Sequence, residues 1–218
     1  MFLGGIDEAG RGSVFGPLVI AGISFDLQKI NELEKMKIRD SKKITSTKRE
    51  ALYKEIIKIC ESIFICKINC MTIDKFVKYN KLNILESRFM TVIADNLNAK
   101  KIIVDSCDVN PFRFQEEIKK NLNNKEISIY SFHKADSDNI IVSCASIIAK
   151  VTRDKEITKI KKTIGKDIGS GYPSDPKTKL FLNQKDNISH YKNYIRLSWK
   201  PVKEIIYKNI QTTLFVEK

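Results

Sequence analysis

The sequence has few cysteines and histidines and no long apolar run. Its 218 residues include five cysteines, two histidines and one tryptophan. An odd, sparse set of cysteines argues against a disulfide framework, and no second Cys or His pair completes a zinc site with Cys66 and Cys70. No hydrophobic leader precedes the first motif, and no apolar run approaches the roughly 18 residues of a membrane helix. We therefore expect reduced cysteines and a cytoplasmic protein that does not enter a membrane.

Negative charge is scarce relative to positive charge. Lys and Arg number 39 against 26 Asp and Glu, which gives a formal net charge of +13. Such an excess indicates a polyanionic partner, and nucleic acid is the first candidate. The hydrophobic content of 42% and the spread of charge along the chain are typical of a globular protein. The length fits a single domain over residues 1–218.

Hydrophobic periodicity predicts an α/β protein. Strands are expected in FLGGIDE, PLVIAGISF, SIFICKINC, KIIVD and ISIYSFH. A first helix is expected from Thr47, with Thr47 and Glu50 as a capping box, to about Glu61. Further helices are expected at 73–79, at 84–98, after Pro111, along CASIIAKVTRDKEITKIKK and along SWKPVKEIIYKNI. This order predicts a mixed sheet in which an antiparallel meander joins parallel strands through right-handed crossovers, with helices on both faces.

Acidic residues stand at the ends of three of these strands. Asp7 and Glu8 end the first strand, Asp105 ends the fourth, and Asp136 lies just past the fifth. Converging carboxylates repel one another and raise their pKa values unless a cation lies among them. Their oxygens are the ligands that Mg²⁺ or Mn²⁺ prefers, and two such ions can promote phosphodiester hydrolysis. The pattern is compatible with a metal site, although each acid alone would also fit a turn or helix cap.

Ordered motifs across nearly the whole chain resemble those of ribonuclease HII, particularly its archaeal form. They are GIDEAGRG, DSKKIT, LNIL, VDSCDVNP, HKADSDNIIVSCASIIAKVTRD, GSGYPSDP and SWKPV. The resemblance implies a ribonuclease H-like fold, with a mixed five-stranded sheet flanked by helices and a helical C-terminal extension over about residues 165–218. It also implies an endonuclease that cuts the RNA strand of RNA–DNA hybrids and cuts 5′ of ribonucleotides embedded in duplex DNA.

The same resemblance assigns catalytic, metal-binding roles to four carboxylates. They are Asp7, Glu8, Asp105 and Asp136, with Mg²⁺ or Mn²⁺ as the metal and products that carry 3′-hydroxyl and 5′-phosphate ends. Asp138 lies two residues beyond Asp136 and is the alternative fourth ligand. Alignment on the HKA segment favours Asp136.

The resemblance further implies that the turn Gly10, Arg11, Gly12 and the side chain of Tyr172 contact the ribose 2′-hydroxyl. Glycine lets backbone approach a ligand closely, and a 2′-hydroxyl distinguishes RNA from DNA at one position. A tight turn and a packed aromatic ring are the alternative interpretation of these residues.

Phosphate contacts are expected from basic and hydroxyl side chains. Lys42 and Lys43 fit this role, with a solvated basic loop as the alternative. Ser143 and Ser146 at the start of the long helix would face a phosphate or cap the helix. Lys150 and Arg153 are interpreted as an exposed helix face, and Trp199 as a packing anchor for the last helix.

The tail QTTLFVEK begins like the Gln-x-x-Leu peptides by which relatives bind the replication sliding clamp. It departs from that pattern, because Phe215 follows Leu214 directly and paired aromatic residues are missing. Clamp binding is therefore a hypothesis, and the chain is expected to be a monomer. Two other functions stay open. One is ribonuclease HIII, whose turn reads GTG and whose catalytic region follows an added domain; the other is a catalytically silent nucleic-acid-binding module.

Overall fold

A computed structural model describes residues 1–36, 38, 44–184 and 186–216, with the side chains of 209–216 excepted. The chain divides into two compact units. The sheet unit consists of Met1–Ala9, Val19–Lys67 and Leu82–Thr152, and the turn unit consists of Gly10–Leu18, Ile68–Lys81 and Arg153–Lys218. The turn unit thus begins before the expected extension at about residue 165 and includes two earlier segments. A single domain over 1–218 stays a prediction.

A mixed five-stranded sheet runs through the described part of the chain in the order β3-β2-β1-β4-β5. The strands are β1 Phe2–Ala9, β2 Leu18–Asp26, β3 Ser62–Ile68, β4 Lys101–Asp105 and β5 Ser128–Phe132. Strand β1 pairs antiparallel with β2 and parallel with β4, and β4 pairs parallel with β5. The mixed sheet expected from the sequence is confirmed.

Helices occupy most of the remaining described chain. They are α1 Ile30–Lys35, α2 Ser46–Ile59, α3 Cys70–Val77, α4 Leu82–Asn96, α5 Pro111–Asn121, α6 Ala135–Asp138, α7 Ile140–Ile164, α8 Pro176–Asn183, α9 Asn187–His190 and α10 Lys200–Val216. None of the helices in the described ranges is both long and apolar enough to cross a membrane.

Two predicted boundaries are wrong because of local capping. The side chain of Thr45, rather than Thr47, accepts a hydrogen bond from the backbone of Lys48, so α2 begins at Ser46 and Thr47 lies inside its first turn. The expected third strand included Cys70, but Asn69 caps α3 by accepting from the backbone of Thr72 at 2.8 Å. The cap ends the extended segment, since an N-cap side chain satisfies a free helical N–H group.

The core of the sheet unit brings the start of α7 against β1. Eight of the nine residues of β2 are buried, as expected for a strand with neighbours on both sides and covered faces. A Cβ added at Gly5 of β1 would lie 2.7 Å from the carbonyl carbon of Ile141. Only glycine therefore fits there, and the close approach places the first turns of α7 beside the strand that carries Asp7.

The turn unit has an apolar core of its own. Its buried members are Val14, Phe15, Ile157, Ile160, Ile164, Ile168, Phe181, Leu182, Ile195 and Val202. The rings of Phe15 and Phe181 meet edge to face at 5.4 Å, and Phe15 forms a β-bridge with Ile195. Trp199 packs against this core, in agreement with its expected role. The core therefore holds the middle of the segment Gly10–Leu18 through Val14 and Phe15.

Candidate active site

Asp7 and Asp105 come together at one edge of the sheet. The parallel register pairs Ile6 with Val104, so the next residues, Asp7 and Asp105, lie at matching heights on β1 and β4. Asp7 is 4% exposed. Burial first, and repulsion from the Asp105 carboxylate second, raise the pKa of Asp7 to about 7, and nearby Lys150 opposes this rise. Without a cation, full ionisation of the two acids at this edge is unfavourable.

Asp136 is held beside the same edge by a backbone hydrogen bond. The N–H of Ala135 donates to Asp105 Oδ1 at 2.7 Å, which fixes the start of α6 to the end of β4. Asp136 follows and is buried, and Lys150 Nζ lies 4.0 Å from its Oδ2 atom. Asp138, on the same short helix, is exposed. Asp136 thus differs from Asp138 in being buried and in lying next to the Lys150 ammonium group.

The four acids offer the oxygen ligands that a divalent cation prefers, but they do not yet surround a common point. Glu8 is partly buried on β1, where it pairs across the strand with Ile20. Among the described residues, no three His, Cys, Asp or Glu side chains form a ready metal cage. Oxygen donors that repel one another are nevertheless suited to a divalent cation, because the cation removes the repulsion.

Ser143 and Ser146 are fully buried in the first turns of α7. Ser143 Oγ lies 2.5 Å from the backbone oxygen of Asp136 and 3.0 Å from that of Asn139. This contact favours the alternative in which Ser143 secures the helix start. The Ser146 hydroxyl contributes to lowering the pKa of Asp7, which places it near that one carboxyl group.

The turn unit contains the glycine turn, defined here as Gly10–Gly16. Gly10 has a φ of +86°, and a Cβ there would lie 3.0 Å from the backbone oxygen of Pro17. A side chain at this position would therefore be strained as well as crowded. Gly12 is exposed, and a Cβ added to it would meet nothing within 4 Å. The turn therefore presents open space at Gly12.

Arg196 is fully buried and donates hydrogen bonds to the backbone of the glycine turn. Its Nη1 donates to the backbone oxygen of Arg11 at 2.9 Å, and its Nε and Nη2 donate to that of Gly16 at 3.2 and 3.1 Å. Burial lowers the pKa of Arg196 to about 10, so the guanidinium stays charged at neutral pH. One side chain thus holds both ends of the turn.

Arg153 connects the glycine turn to the loop that carries Tyr172. Its Nη2 donates to Ser13 Oγ at 2.8 Å and to the backbone oxygen of Ser170 at 2.6 Å. Its guanidinium carbon lies 4.6 Å from the centre of the Tyr172 ring. The backbone N–H of Val14 also donates to the oxygen of Gly171 at 2.8 Å. Turn and loop are therefore joined before any substrate binds.

The expectation that Arg153 lies on an exposed helix face is wrong, because the residue is only 4% exposed. A signal was available in the spacing. Arg153 follows Ala149 and precedes Ile157 by four residues, and both of those residues are buried. Lys150 is also only partly exposed, at 26% of its side chain. Lys42 and Lys43 lie outside the described residues.

Comparison with known proteins decides the family. The family model for ribonuclease HII matches residues 4–202. The chain belongs to the ribonuclease HII family. A ribonuclease HII from Cenarchaeum symbiosum is 41% identical over 210 residues, covering 94% of this chain and 98% of the relative. The crystal structure of ribonuclease H2 from Pyrococcus horikoshii superposes with a TM-score of 0.86 at 38% identity, covering 95% and 98% of the two chains.

A structure described as the PCNA:RNase HII complex from Archaeoglobus fulgidus also matches, with a TM-score of 0.84 and 35% identity over 93% of this chain and 96% of that one. These similarities confirm the ribonuclease H-like fold and the activity of a ribonuclease H endonuclease on RNA-containing nucleic acid. Enzymes of the ribonuclease H family depend on divalent metal ions. The family match favours ribonuclease HII over ribonuclease HIII, and an enzyme over a silent binding module.

Proposed function

We propose that this ribonuclease HII hydrolyses the phosphodiester on the 5′ side of a ribonucleotide, both in RNA–DNA hybrids and at single ribonucleotides in duplex DNA. The products carry 3′-hydroxyl and 5′-phosphate ends. The observation that carries the proposal is the pair formed by buried Asp7 and partly buried Asp105, whose repulsion helps to raise the pKa of Asp7 to about 7. A protein that only bound nucleic acid would gain nothing from paired carboxylates, since they repel phosphate.

Asp7, Glu8, Asp105 and Asp136 would hold Mg²⁺ or Mn²⁺. Bound there, such ions supply an activated water and charge stabilisation for the leaving 3′-oxygen. The chain's own groups set the arrangement of these acids. Ala135 holds Asp105 in place through its backbone N–H, and Lys150 offsets negative charge beside Asp136.

The glycine turn and Tyr172 would recognise the ribose. Gly12 leaves open space for a sugar. The backbone of Gly10–Gly12 is held by the hydrogen bond from Arg196 to the oxygen of Arg11. Tyr172 is partly exposed, and its phenol would contact the 2′-hydroxyl. A prebuilt recognition surface of this kind lowers the ordering cost of binding.

Phosphate binding stays a proposal for four further residues. Lys42 and Lys43 would contact the phosphates of the cleaved strand as point charges. Ser143 and Ser146 would act only if their buried hydroxyls turned toward the substrate, since Ser143 contacts backbone oxygens in this conformation.

The decisive experiment is cleavage of a labelled DNA duplex that contains one ribonucleotide. We expect cutting 5′ of the ribonucleotide with Mg²⁺ or Mn²⁺, no cutting with EDTA, and no cutting of an all-DNA duplex. The Asp7→Asn variant should be inactive. Cutting of long hybrids without cutting at the single ribonucleotide would contradict the recognition role of Tyr172 and the glycine turn. Full activity of Asp7→Asn would contradict the carboxylate mechanism.

The tail Gln211–Phe215 is proposed to contact a sliding clamp, and the PCNA complex of the Archaeoglobus fulgidus relative supports this idea. The backbone of this tail belongs to α10. In a pull-down with a clamp, the Leu214→Ala/Phe215→Ala variant should lose binding; undiminished binding would contradict the proposal. A monomeric state and a cytoplasmic location stay predictions from the sequence.

A further inference from the structure

We infer that Arg153 is a positioning residue for ribose recognition: it sets the Tyr172 ring against the glycine turn. This inference rests on the proposed function, in which Tyr172 and Gly10–Gly12 read the 2′-hydroxyl. The role of Arg153 requires no contact with the substrate. It acts through the two groups that it connects.

Three contacts of one guanidinium support this role. Nη2 donates to Ser13 Oγ at 2.8 Å and to the backbone oxygen of Ser170 at 2.6 Å, and the guanidinium carbon lies 4.6 Å from the Tyr172 ring centre. Ser13 follows Gly12 directly, and Ser170 precedes Tyr172 by two residues. The planar group therefore contacts the ring, the Ser13 hydroxyl and the Ser170 backbone at once, which a point charge cannot do.

The space around the guanidinium is closely fitted. Gly171 has a φ of +82°, and a Cβ added there would lie 3.0 Å from Arg153 Nη2 and 3.0 Å from the Cβ of Phe15. Gly10 faces the stem of the same arginine, since a Cβ at that position would lie 3.3 Å from its Cγ. Glycine on both the turn and the loop thus allows Arg153 to lie between them.

The buried charge of Arg153 is only weakly paired, which favours a functional reason for its burial. Arg153 is 4% exposed, yet its ion-pair partner, Asp154, is its sequence neighbour, stands 3.4 Å away and is half exposed. The two short hydrogen bonds go instead to a neutral hydroxyl and a neutral carbonyl. Burying a charge whose shortest contacts are neutral costs free energy that an apolar side chain would not. That cost is understandable if the guanidinium has to orient Tyr172.

The test is a double-mutant cycle between Arg153→Lys and Tyr172→Ala, measured as kcat and KM on the duplex with one ribonucleotide. Alone, Arg153→Lys should lower kcat by roughly tenfold to a hundredfold, because small misplacements of recognition groups have effects of this size. KM should change by less than about threefold, since most binding comes from phosphate contacts. In the Tyr172→Ala background, Arg153→Lys should change kcat by less than about twofold, because coupled residues are not additive.

A matched control separates positioning from general stability. Asn187 is a buried polar residue of the same unit, and its amide donates to the backbone oxygen of Phe181 at 2.8 Å and to Gln184 Oε1 at 2.9 Å. Asn187→Leu should lower the melting temperature at least as much as Arg153→Lys does and leave kcat within about twofold.

The outcomes are distinct. Equal losses from Arg153→Lys in the parent protein and in the Tyr172→Ala variant, or an equal loss of kcat in Asn187→Leu, would overturn the positioning role and indicate a merely structural arginine. If Tyr172→Ala itself left both kcat and the preference for a ribonucleotide unchanged, the proposed function of Tyr172 would fail instead. Coupling between Arg153 and Tyr172, with an unaffected control, supports the inference.

Discussion

Like charges face each other in the sheet unit, whereas in the turn unit buried charges are matched to neutral oxygens. Asp105 helps to raise the pKa of Asp7 to about 7. Arg196, in contrast, directs three N–H groups to two backbone oxygens of the glycine turn. The difference teaches that the carboxylate edge gains from an added cation, whereas the hydrogen bonds of Arg196 to the glycine turn are made without one. In the proposed function, chemistry and ribose recognition therefore depend on opposite electrostatic arrangements.

The largest expected effect distinguishes the two acids of α6. Asp136→Asn should lower cleavage by at least about a hundredfold, because even residues that only support metal ligands have effects of up to that size. Asp138→Asn, on the exposed side of the same helix, should keep activity within about twofold. Initial rates at saturating Mg²⁺ measure both. A loss in Asp138→Asn with an active Asp136→Asn would reverse the assignment.

The next effect concerns the stability of the turn unit. Arg196→Met keeps the apolar stem but leaves the backbone oxygens of Arg11 and Gly16 without the guanidinium donors. We expect the free energy of unfolding to fall by about 3 kcal/mol, from the loss of buried hydrogen bonds to a charged group. The melting temperature should fall by roughly 6 to 12 °C. Lys200→Met is the control, since that side chain is 89% exposed.

An unchanged melting temperature in Arg196→Met would show that the glycine turn does not depend on the arginine beneath it. A fall of similar size in Lys200→Met would show that the effect is not specific to the buried site.

The smallest effect is a pH dependence of the metal-free protein. The folded-state pKa of Asp7, about 7, lies above its ordinary value of 3.8. Folding therefore favours the protonated acid, and this contribution to stability is present at low pH and is lost as the pH rises through about 7. With EDTA, the free energy of unfolding should fall by about 1 kcal/mol between about pH 6 and about pH 8 through Asp7 alone.

Urea unfolding of the parent and of Asp7→Asn measures this difference. The variant lacks the titrating group, so its stability should change less over the same pH range, and it should be the more stable protein at about pH 8. An identical pH dependence in both proteins would contradict the raised pKa of Asp7.

Much of the fold was predictable because its signals are local. Short runs rich in Val, Ile and Phe located all five strands, and their order predicted the mixed sheet. Acids at strand ends indicated the edge at which Asp7 and Asp105 meet. The motif blocks indicated the family, which the comparisons confirm.

The features that the sequence did not predict depend on contacts between distant residues, or on a choice between two similar residues close together in the chain. Arg153 donates to Ser13, which lies 140 positions earlier, so helical periodicity could not identify its partner. Arg196 reaches Arg11 across 185 positions. Thr45 and Thr47 are both good N-cap residues, so residue type alone could not decide between them.

The most direct test of the contrast between the two units is binding without cleavage. Asp105→Asn and Asp105→Asn/Tyr172→Ala should be compared by fluorescence anisotropy on a duplex with one ribonucleotide and on its all-DNA counterpart. We expect Asp105→Asn to retain a preference of about tenfold for the ribonucleotide, roughly the value of one or two hydrogen bonds. The double variant should bind both duplexes within about twofold of each other. A preference that survives the loss of Tyr172, or disappears with Asp105 alone, would contradict the separation of selection from chemistry.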